Sequence, residues 1–399
     1  MRLRFPLWLK RLVKIFALVL LLLVLVLVSG LVFIGVRHEQ TLILPAPNGS
    51  YAIGRQEYVW TDKARVDTLA PRAGTKREFV VWSWYPAVSM PGARSAPYLP
   101  QKWGQISDQE QTMLGLSLKQ RSTSIQTHSI EGSPLAKSKT SYPVLIFEPG
   151  MGNTPTQYTT LLEDLASHGY IIFAITPIYS ANIVVFPDGH VARSTPAGNP
   201  EYDSAPLLNI WSQDVLFAMD QLEKLNTDPG TMFTKRLDLT RLGVFGHSFG
   251  GATAVQVCHM DSRCKAGINM DGYLTGDTTQ MSLTRPFLFL QSDIGSCSDS
   301  GCQSFQRDIH TVQRTIAQGA SYNVCIKGAE HFNFSDYALD NAPWILRSLG
   351  ALGPIDGARG LQITRAYVLA FFDMYLNHTP SPLLQGKISA YPEVQFLAP

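Results

Sequence analysis

The chain has 399 residues, of which 45% are apolar and 16% are charged, and its formal net charge is only +2. This composition excludes an intrinsically disordered chain, because such chains are poor in apolar residues and strongly charged. Beyond the first residues the sequence has no extended basic patch, and it therefore predicts no nucleic-acid partner.

The first predicted element is an apolar helix behind a basic tip. Residues 1–14 carry five positive charges and no acid, and residues 15–36 contain no charged side chain. A helix over 15–36 is about 33 Å long, enough to cross the hydrocarbon core of a membrane. The preceding charges favour a cytoplasmic N-terminus. We expect an uncleaved signal anchor, with cleavage somewhere after Ser29 as the alternative, and the rest of the chain in the periplasm or the extracellular space.

The next hundred residues have a weaker pattern. Residues 37–75 are mixed in composition and predict a stalk leading into the domain, and the run Phe79–Tyr85 predicts an early antiparallel strand. Residues 86–140 are rich in Pro, Ser, Gln and Lys, with a short amphipathic stretch near Gln109–Lys119. We interpret 86–140 as an insertion that caps a cleft, with a solvated surface loop as the plainer alternative.

From Tyr142 onward, apolar β-rich runs alternate with helical patterns. The predicted strands are Val144–Phe147, Tyr170–Ile175, Leu242–Phe245, Lys265–Met270, Pro286–Gln291 and Tyr322–Ile326. The predicted helices are Thr156–Ser167, Asn209–Leu225, Gly250–His259, Gln303–Ala317 and Ile363–Leu376. This alternation predicts an α/β domain over residues 76–399, with a mostly parallel central sheet flanked by helices. Functional groups of such sheets gather beyond the carboxyl ends of the strands.

The clearest motif is Gly246-His247-Ser248-Phe249-Gly250, which follows an apolar strand and precedes a helix of small residues. In this strand–turn–helix context a G-x-S-x-G motif holds a serine in a strained turn with its Oγ exposed. An ordinary turn with a structural serine is the alternative. The sequence therefore predicts Ser248 as a nucleophile, and a serine hydroxyl needs a base beside it and an acid that orients the base.

The base is expected among the histidines that follow the motif, because the usual chain order in this fold is serine, acid, histidine. His310 lies inside a predicted helix and His378 at the end of the last one, whereas His331 lies in a loop directly after a strand. A loop at that position can bring an imidazole over the serine. His331 is therefore the predicted general base, with a structural loop histidine as the alternative.

Two aspartates compete for the role of orienting acid, since each ends a predicted strand. Asp293 holds the position that more commonly supplies the acid in this fold, but it begins a Ser/Gly/Cys-rich loop, which is typical of a turn-capping residue. Asp271 follows a tight apolar strand and precedes Gly272-Tyr273, which favours a fixed carboxylate. The pattern favours Asp271 and leaves Asp293 open.

An oxyanion hole requires two backbone N–H groups that point at the developing negative charge. One is expected from Phe249, the residue after the nucleophile. The other is expected from Met151, in the loop Glu148-Pro149-Gly150-Met151-Gly152, where the glycines let the backbone face the cleft. A purely structural Gly-rich turn is the alternative for this loop.

These motifs resemble the platelet-activating factor acetylhydrolases of the plasma, lipoprotein-associated type and their microbial relatives. The resemblance covers roughly residues 75–376 and rests on the serine motif, the aspartate 23 residues after it, the Pro149–Gly152 loop and the segment around His331. It implies an α/β-hydrolase fold and a serine esterase without metal or cofactor, which releases short acyl groups from the sn-2 position of phospholipids. It also implies that Asp271 is the acid and that Met151 and Phe249 form the oxyanion hole.

Other functions stay open at this point. A broad-specificity esterase, lipase or polyester hydrolase of the same fold is the main alternative, and a non-catalytic surface-binding protein is a third.

The five cysteines fit a chain that lies outside the cytoplasm. Their short separations predict the disulfides Cys258–Cys264 and Cys297–Cys302, and leave Cys325 as a buried thiol. No histidine accompanies them at zinc-site spacing, and a metal site is therefore not predicted.

Overall fold

Ten segments pair into one sheet in the computed structural model, which describes residues 6–110, 112–113, 116–117, 119–199, 204–279, 281–295, 297, 300–317, 319–386 and 388–397. In chain order the strands are β1 (Ala52–Val66), β2 (Lys76–Ala87), β3 (Ile130–Glu131), β4 (Tyr142–Glu148), β5 (Ile171–Thr176), β6 (Leu237–His247), β7 (Cys264–Met270), β8 (Phe287–Gln291), β9 (Ser321–Ile326) and β10 (Val394–Phe396). Their spatial order is β10-β9-β8-β7-β6-β4-β5-β2-β1-β3.

The six strands from β4 to β9 run parallel, as the alternating pattern predicted. Strands β4, β5 and β8 are buried along their whole length, because helices cover both faces of the sheet. The chain runs from β4 through helix α3 (Thr159–Ser167) to β5, and then returns to place β6 on the other side of β4. The boundary between β4 and β6 is therefore the topological switch point, where α/β proteins hold their functional groups.

Helices cover both faces of this sheet. Besides α3 they are α1 (Leu7–Glu39), α2 (Gln101–Glu110), α4 (Ala205–Thr227), α5 (Phe249–Met260), α6 (Ser300–Gln313), α7 (Pro343–Ser348) and α8 (Gly357–Leu376). Helices α3 and α8 pack in one apolar cluster, and α4, α5 and α6 pack in another. Every helix and strand predicted between Val144 and Leu376 has its counterpart, with ends that differ by a few residues.

The region before residue 142 contains more structure than its sequence pattern indicated. Within the predicted stalk, β1 pairs with β2 along most of its length. Within the insertion, α2 forms and β3 joins the edge of the main sheet. The amphipathic stretch Gln109–Lys119 is helical only as far as Glu110, and residues 112–113 pair with 116–117; residues 111, 114, 115 and 118 lie outside the described residues. Thr112 and Gly115 are poor helix formers, which agrees with this early end.

Helix α1 contains the predicted membrane span. Its most apolar 18-residue window has a mean hydropathy of 3.3, and none of that window is buried against the rest of the chain. Its length and composition suit a membrane span and also a signal sequence.

The cysteines lie as the sequence predicted, with S–S distances of 1.97 Å for Cys258–Cys264 and 1.99 Å for Cys297–Cys302, and Cys325 buried as a free thiol.

A buried arginine holds β2 against α4. Arg77 donates hydrogen bonds to Asp67 at 2.9 Å and to Asp214 at 2.6 Å, and all three side chains are almost wholly buried. In Arg77→Met, Asp67 would lose this cation and Asp214 would keep only Arg65, whose Nη2 lies 2.9 Å from its carboxylate. A buried charge that loses its partner is strongly destabilising. We expect the free energy of unfolding to fall by about 3–5 kcal/mol, measured by urea unfolding in mild detergent.

Arg263 provides the matched control, because it also binds several acids but lies at the surface. Its guanidinium contacts Asp220, Glu223 and Asp261, and the Arg263 side chain is 31% exposed. Arg263→Met is expected to cost less than about 1 kcal/mol, because solvent screens exposed ion pairs. Equal losses in the two variants would contradict the assignment of the large cost to burial.

Candidate active site

Ser248 lies in a strained turn between β6 and α5. Its φ is +54° and its ψ −122°, a backbone conformation that non-glycine residues adopt only where the surrounding structure enforces it. A Cβ on Gly246 would lie 2.3 Å from the Gly250 carbonyl carbon, and a Cβ on Gly250 would lie 2.2 Å from the Glu148 backbone carbonyl oxygen. Both distances are too short for a side chain at either position. The two glycines therefore allow the helix to begin directly against the strands. Ser248 stays half-buried at the carboxyl edge of the sheet.

Asp271 and His331 form a hydrogen-bonded pair at the same edge. Asp271 follows β7, and its two carboxylate oxygens accept hydrogen bonds from His331 Nδ1 at 2.7 Å and from the Ser292 N–H at 2.8 Å. Burial raises the pKa of Asp271, but the hydrogen bonds from His331 and Ser292 outweigh burial and hold this pKa below its ordinary value. The ionised carboxylate thus fixes His331 with its proton on Nδ1, which leaves Nε2 as a proton acceptor.

Asp293, the alternative acid, binds loop backbone instead. Its two carboxylate oxygens accept the N–H groups of Gly295 at 3.0 Å and of Gly328 at 2.7 Å. This is the turn-capping arrangement that its Ser/Gly-rich surroundings indicated. Of the two aspartates, the structure pairs Asp271 with His331.

Tyr158 and His247, which the sequence did not indicate as functional residues, link three segments of this site by hydrogen bonds. The Gly150 N–H donates to the Tyr158 hydroxyl at 3.1 Å, and that hydroxyl donates to Nδ1 of His247 at 2.8 Å. His247 Nε2 then donates to the His331 carbonyl oxygen at 2.8 Å. Burial, followed by the electrostatic interaction with His331, lowers the pKa of His247 to about 3, and the ring is therefore neutral with one donor and one acceptor nitrogen. His247 occupies the variable position of the serine motif, which was the available signal.

The two N–H groups predicted for the oxyanion hole lie in the loop after β4 and at the start of α5. The loop after β4 turns at Gly152, which has φ +81° and whose N–H donates to the Ser180 carbonyl oxygen at 3.2 Å. In the part of the chain that the structure describes, neither the Met151 N–H nor the Phe249 N–H donates to a protein acceptor. Phe249 begins α5, where the first N–H groups of a helix have no intrahelical partner.

A cavity of about 410 Å³ lies beside the loop that contains Met151. Met151, Gly152 and Phe332, the residue after His331, form part of its wall. Burial raises the pKa of Asp336, another residue of the wall, to about 7, and near neutral pH this side chain is therefore present in both the protonated and the ionised form. Within the described residues, no group of three or more His, Cys, Asp or Glu side chains is arranged to hold a metal ion.

Comparison with known families tests the resemblance found in the sequence. The model of the family described as platelet-activating factor acetylhydrolase, isoform II, matches residues 36–183 and 224–381. The chain belongs to this family. The match to the platelet-activating factor acetylhydrolase family begins earlier than the expected residue 75, and it leaves out residues 184–223.

Individual relatives agree with this membership. A probable 1-alkyl-2-acetylglycerophosphocholine esterase of Arthroderma benhamiae is 29% identical over 269 residues, which are 64% of this chain and 66% of the relative. A platelet-activating factor acetylhydrolase of Cavia porcellus is 25% identical over 293 residues, which are 67% of this chain and 64% of the relative. The chain thus spans slightly less than two thirds of the length of these curated relatives.

A solved structure supports the fold over a longer range. A ferulic acid esterase from Streptomyces cinnamoneus is 30% identical and superposes with a TM-score of 0.74, covering 90% of this chain and 99% of its own. The α/β-hydrolase fold that the resemblance to the acetylhydrolase family implied is therefore confirmed.

Proposed function

We propose that the chain is a serine carboxylesterase in which Ser248, His331 and Asp271 act as a catalytic triad. The observation that carries the proposal is the 2.7 Å hydrogen bond from His331 to Asp271, beside a serine in a strained turn. The ring of His247, the residue before the serine, lies 4.5 Å from the His331 ring between centroids, which supports the proposal that the His331 imidazole and the Ser248 hydroxyl act in one site. Membership of an acetylhydrolase family adds support.

In this mechanism Ser248 Oγ attacks the acyl carbonyl carbon while His331 Nε2 accepts the hydroxyl proton. Asp271 stabilises the resulting imidazolium, and the N–H groups of Met151 and Phe249 bind the oxyanion. The C–O bond to the alcohol then breaks, and the leaving oxygen takes the proton from His331. Water attacks the acyl-enzyme with His331 again as base, which releases the carboxylic acid and restores the Ser248 hydroxyl.

For the substrate we propose an amphiphilic ester with a short acyl group, such as the sn-2 acetyl ester of a phospholipid. Two of the named relatives are an alkylacetylglycerophosphocholine esterase and a platelet-activating factor acetylhydrolase. The cavity wall contains Leu99, Ile125 and Phe332, which suit a hydrocarbon chain. The second candidate is an esterase for other acyl groups, which the likeness to the ferulic acid esterase favours.

We also propose that α1 stays attached and anchors the protein, with the N-terminus in the cytoplasm and the α/β domain in the periplasm or outside the cell. The apolar part of α1 is long enough to span a bilayer, and the positive charges precede it.

A panel of esters tests the substrate proposal with the full-length protein in detergent. It contains p-nitrophenyl esters of increasing acyl length, methyl ferulate and 1-hexadecyl-2-acetylglycerophosphocholine. We expect a sharp preference for acetyl and efficient release of acetate from the phospholipid. A preference for ferulate or for long acyl groups would favour the second candidate, and hydrolysis of none of the esters would refute the esterase proposal.

His247 is expected to position the catalytic loop. His247→Phe keeps a ring at this place but removes the hydrogen bonds to Tyr158 and to the His331 carbonyl oxygen. Leaving buried polar groups unpaired costs about 1–3 kcal/mol. If about 1.5 kcal/mol of this cost raises the barrier, kcat for p-nitrophenyl acetate falls about tenfold, with little change in KM. His259→Phe at the exposed end of α5 is the control, and equal effects of both variants would contradict a positioning role.

A further inference from the structure

The end of α1 is bonded to the domain rather than leading into a free stalk. Arg37 Nε donates to the Asn341 carbonyl oxygen at 3.0 Å, and the buried His38 ring lies 3.0 Å from the Asp340 carboxylate. Residues 42–43 then pair as a short parallel strand with residues 125–126. The last turn of α1 is thereby held against the segment that follows the His331 loop.

The same contacts form part of the cavity wall. His38 and Leu42, from the end of α1 and the segment after it, line the cavity together with Met151 and Phe332. The cavity therefore extends from the proposed oxyanion loop to the place where α1 leaves the domain.

Helix α7, which contacts the end of α1, carries an exposed apolar side chain and is followed directly by another. Trp344, on α7, stacks on Phe33 of the apolar span with 6.0 Å between ring centroids, and it is 42% exposed. The Arg37 guanidinium lies 5.8 Å from the same Trp344 ring. Leu349, directly after α7, is 73% exposed. A tryptophan and an arginine beside the last turns of a membrane helix are typical of the membrane–water interface.

We propose that α7 and the end of α1 form a rim that rests on the bilayer crossed by α1, so that the cavity takes its ester directly from the lipid leaflet in which α1 ends. The inference rests on the proposed esterase function and on retention of α1. The occupant of this surface is lipid, because Phe33 belongs to the span and Trp344 touches it. Any bilayer that contains the span therefore also reaches α7.

The first test compares a vesicle-bound with a water-soluble ester, using the full-length protein in phosphatidylcholine vesicles. The double variant Trp344→Gln and Leu349→Gln replaces two exposed apolar side chains of the rim without changing the net charge of the protein. Neither residue lines the cavity. Hydrolysis of vesicle-borne 1-hexadecyl-2-acetylglycerophosphocholine should fall about tenfold, whereas hydrolysis of p-nitrophenyl acetate should stay within about twofold. Met260→Gln, at the far end of α5 and 44% exposed, is the control and should change neither rate. Unchanged hydrolysis of the vesicle-borne ester in the double variant would overturn the proposal.

The second test does not depend on catalysis. Leu349→Cys and Met260→Cys each carry a polarity-sensitive dye, in vesicles with and without a quencher attached to lipid chains. The dye at 349 should shift its emission to the blue and be quenched, and the dye at 260 should do neither. A water-like emission from the dye at 349 would overturn the proposed contact with lipid. A blue shift without quenching would indicate that protein covers the dye, and it would overturn the proposal as well. If the wild-type protein hydrolyses neither ester, the esterase proposal fails while the dye result still decides whether the rim meets lipid.

Discussion

Ser248→Ala is expected to lower kcat for p-nitrophenyl acetate by about 10⁴- to 10⁶-fold, because the variant lacks the oxygen that forms the acyl-enzyme. The fold should persist, since the substitution removes one half-buried atom and leaves the turn enforced by its glycines. We expect the free energy of unfolding to change by less than about 0.5 kcal/mol. Any remaining rate would come from attack of a water molecule on the ester, assisted by the N–H groups of Met151 and Phe249.

Two measurements on the full-length protein check this result. Steady-state kinetics gives the loss of rate, and a fluorophosphonate probe should label the wild type and fail to label Ser248→Ala. Ser262→Ala, at an exposed position beyond the far end of α5, is the control and should react and turn over normally. Undiminished turnover in Ser248→Ala would refute the triad.

Asp271→Asn should lower kcat by about 10⁴-fold while the site keeps its shape. The Ser292 N–H needs an acceptor, so the amide oxygen of the new side chain would face Ser292 and its NH₂ group would face His331 Nδ1. That nitrogen would then accept a hydrogen bond, and the ring proton would move to Nε2. His331 in this tautomer cannot take the proton of Ser248.

Asp293→Asn is the matched control for the acid. Asp293 caps two loops, so its substitution should affect stability more than kcat. Because the pKa of Asp271 lies below its ordinary value of 3.8, its contribution to stability is complete above that pH and is lost as the pH falls through the lower folded value. Unfolding measured from pH 5 downward should show this loss in Asp293→Asn and lack it in Asp271→Asn. A greater loss of kcat in Asp293→Asn than in Asp271→Asn would assign the role of orienting acid to Asp293.

The pairing of Asp271 with His331 at the edge of the sheet where Ser248 lies could be anticipated from the sequence, because each of the three residues follows a strand of one parallel sheet. Carboxyl ends of parallel strands share an edge, and predicting the strands therefore predicts the neighbourhood. The bond between Tyr158 and His247 could not be anticipated in this way. It joins residues 89 positions apart and depends on how α3 packs against the sheet, which no local pattern encodes.

The segments before β4 were harder to predict for a different reason. Strand β1 has an irregular burial pattern, and β3 is only two residues long, so neither carries a clear period of hydrophobicity. Their pairing depends on a sheet edge formed by residues elsewhere in the chain. The cavity likewise combines residues from both ends of the sequence, and its wall becomes visible only in three dimensions.

The hydrogen bonds through Tyr158 and His247 have a consequence for how this region loses its order on warming. They join the loop at Gly150, the turn before Ser248 and the backbone of His331, so opening any one of these segments leaves buried polar groups unpaired in the others. Segments linked in this way open as one cooperative unit, whose stability can differ from that of the surrounding sheet. Thermal inactivation would then reflect a single local melting event, which can precede unfolding of the domain.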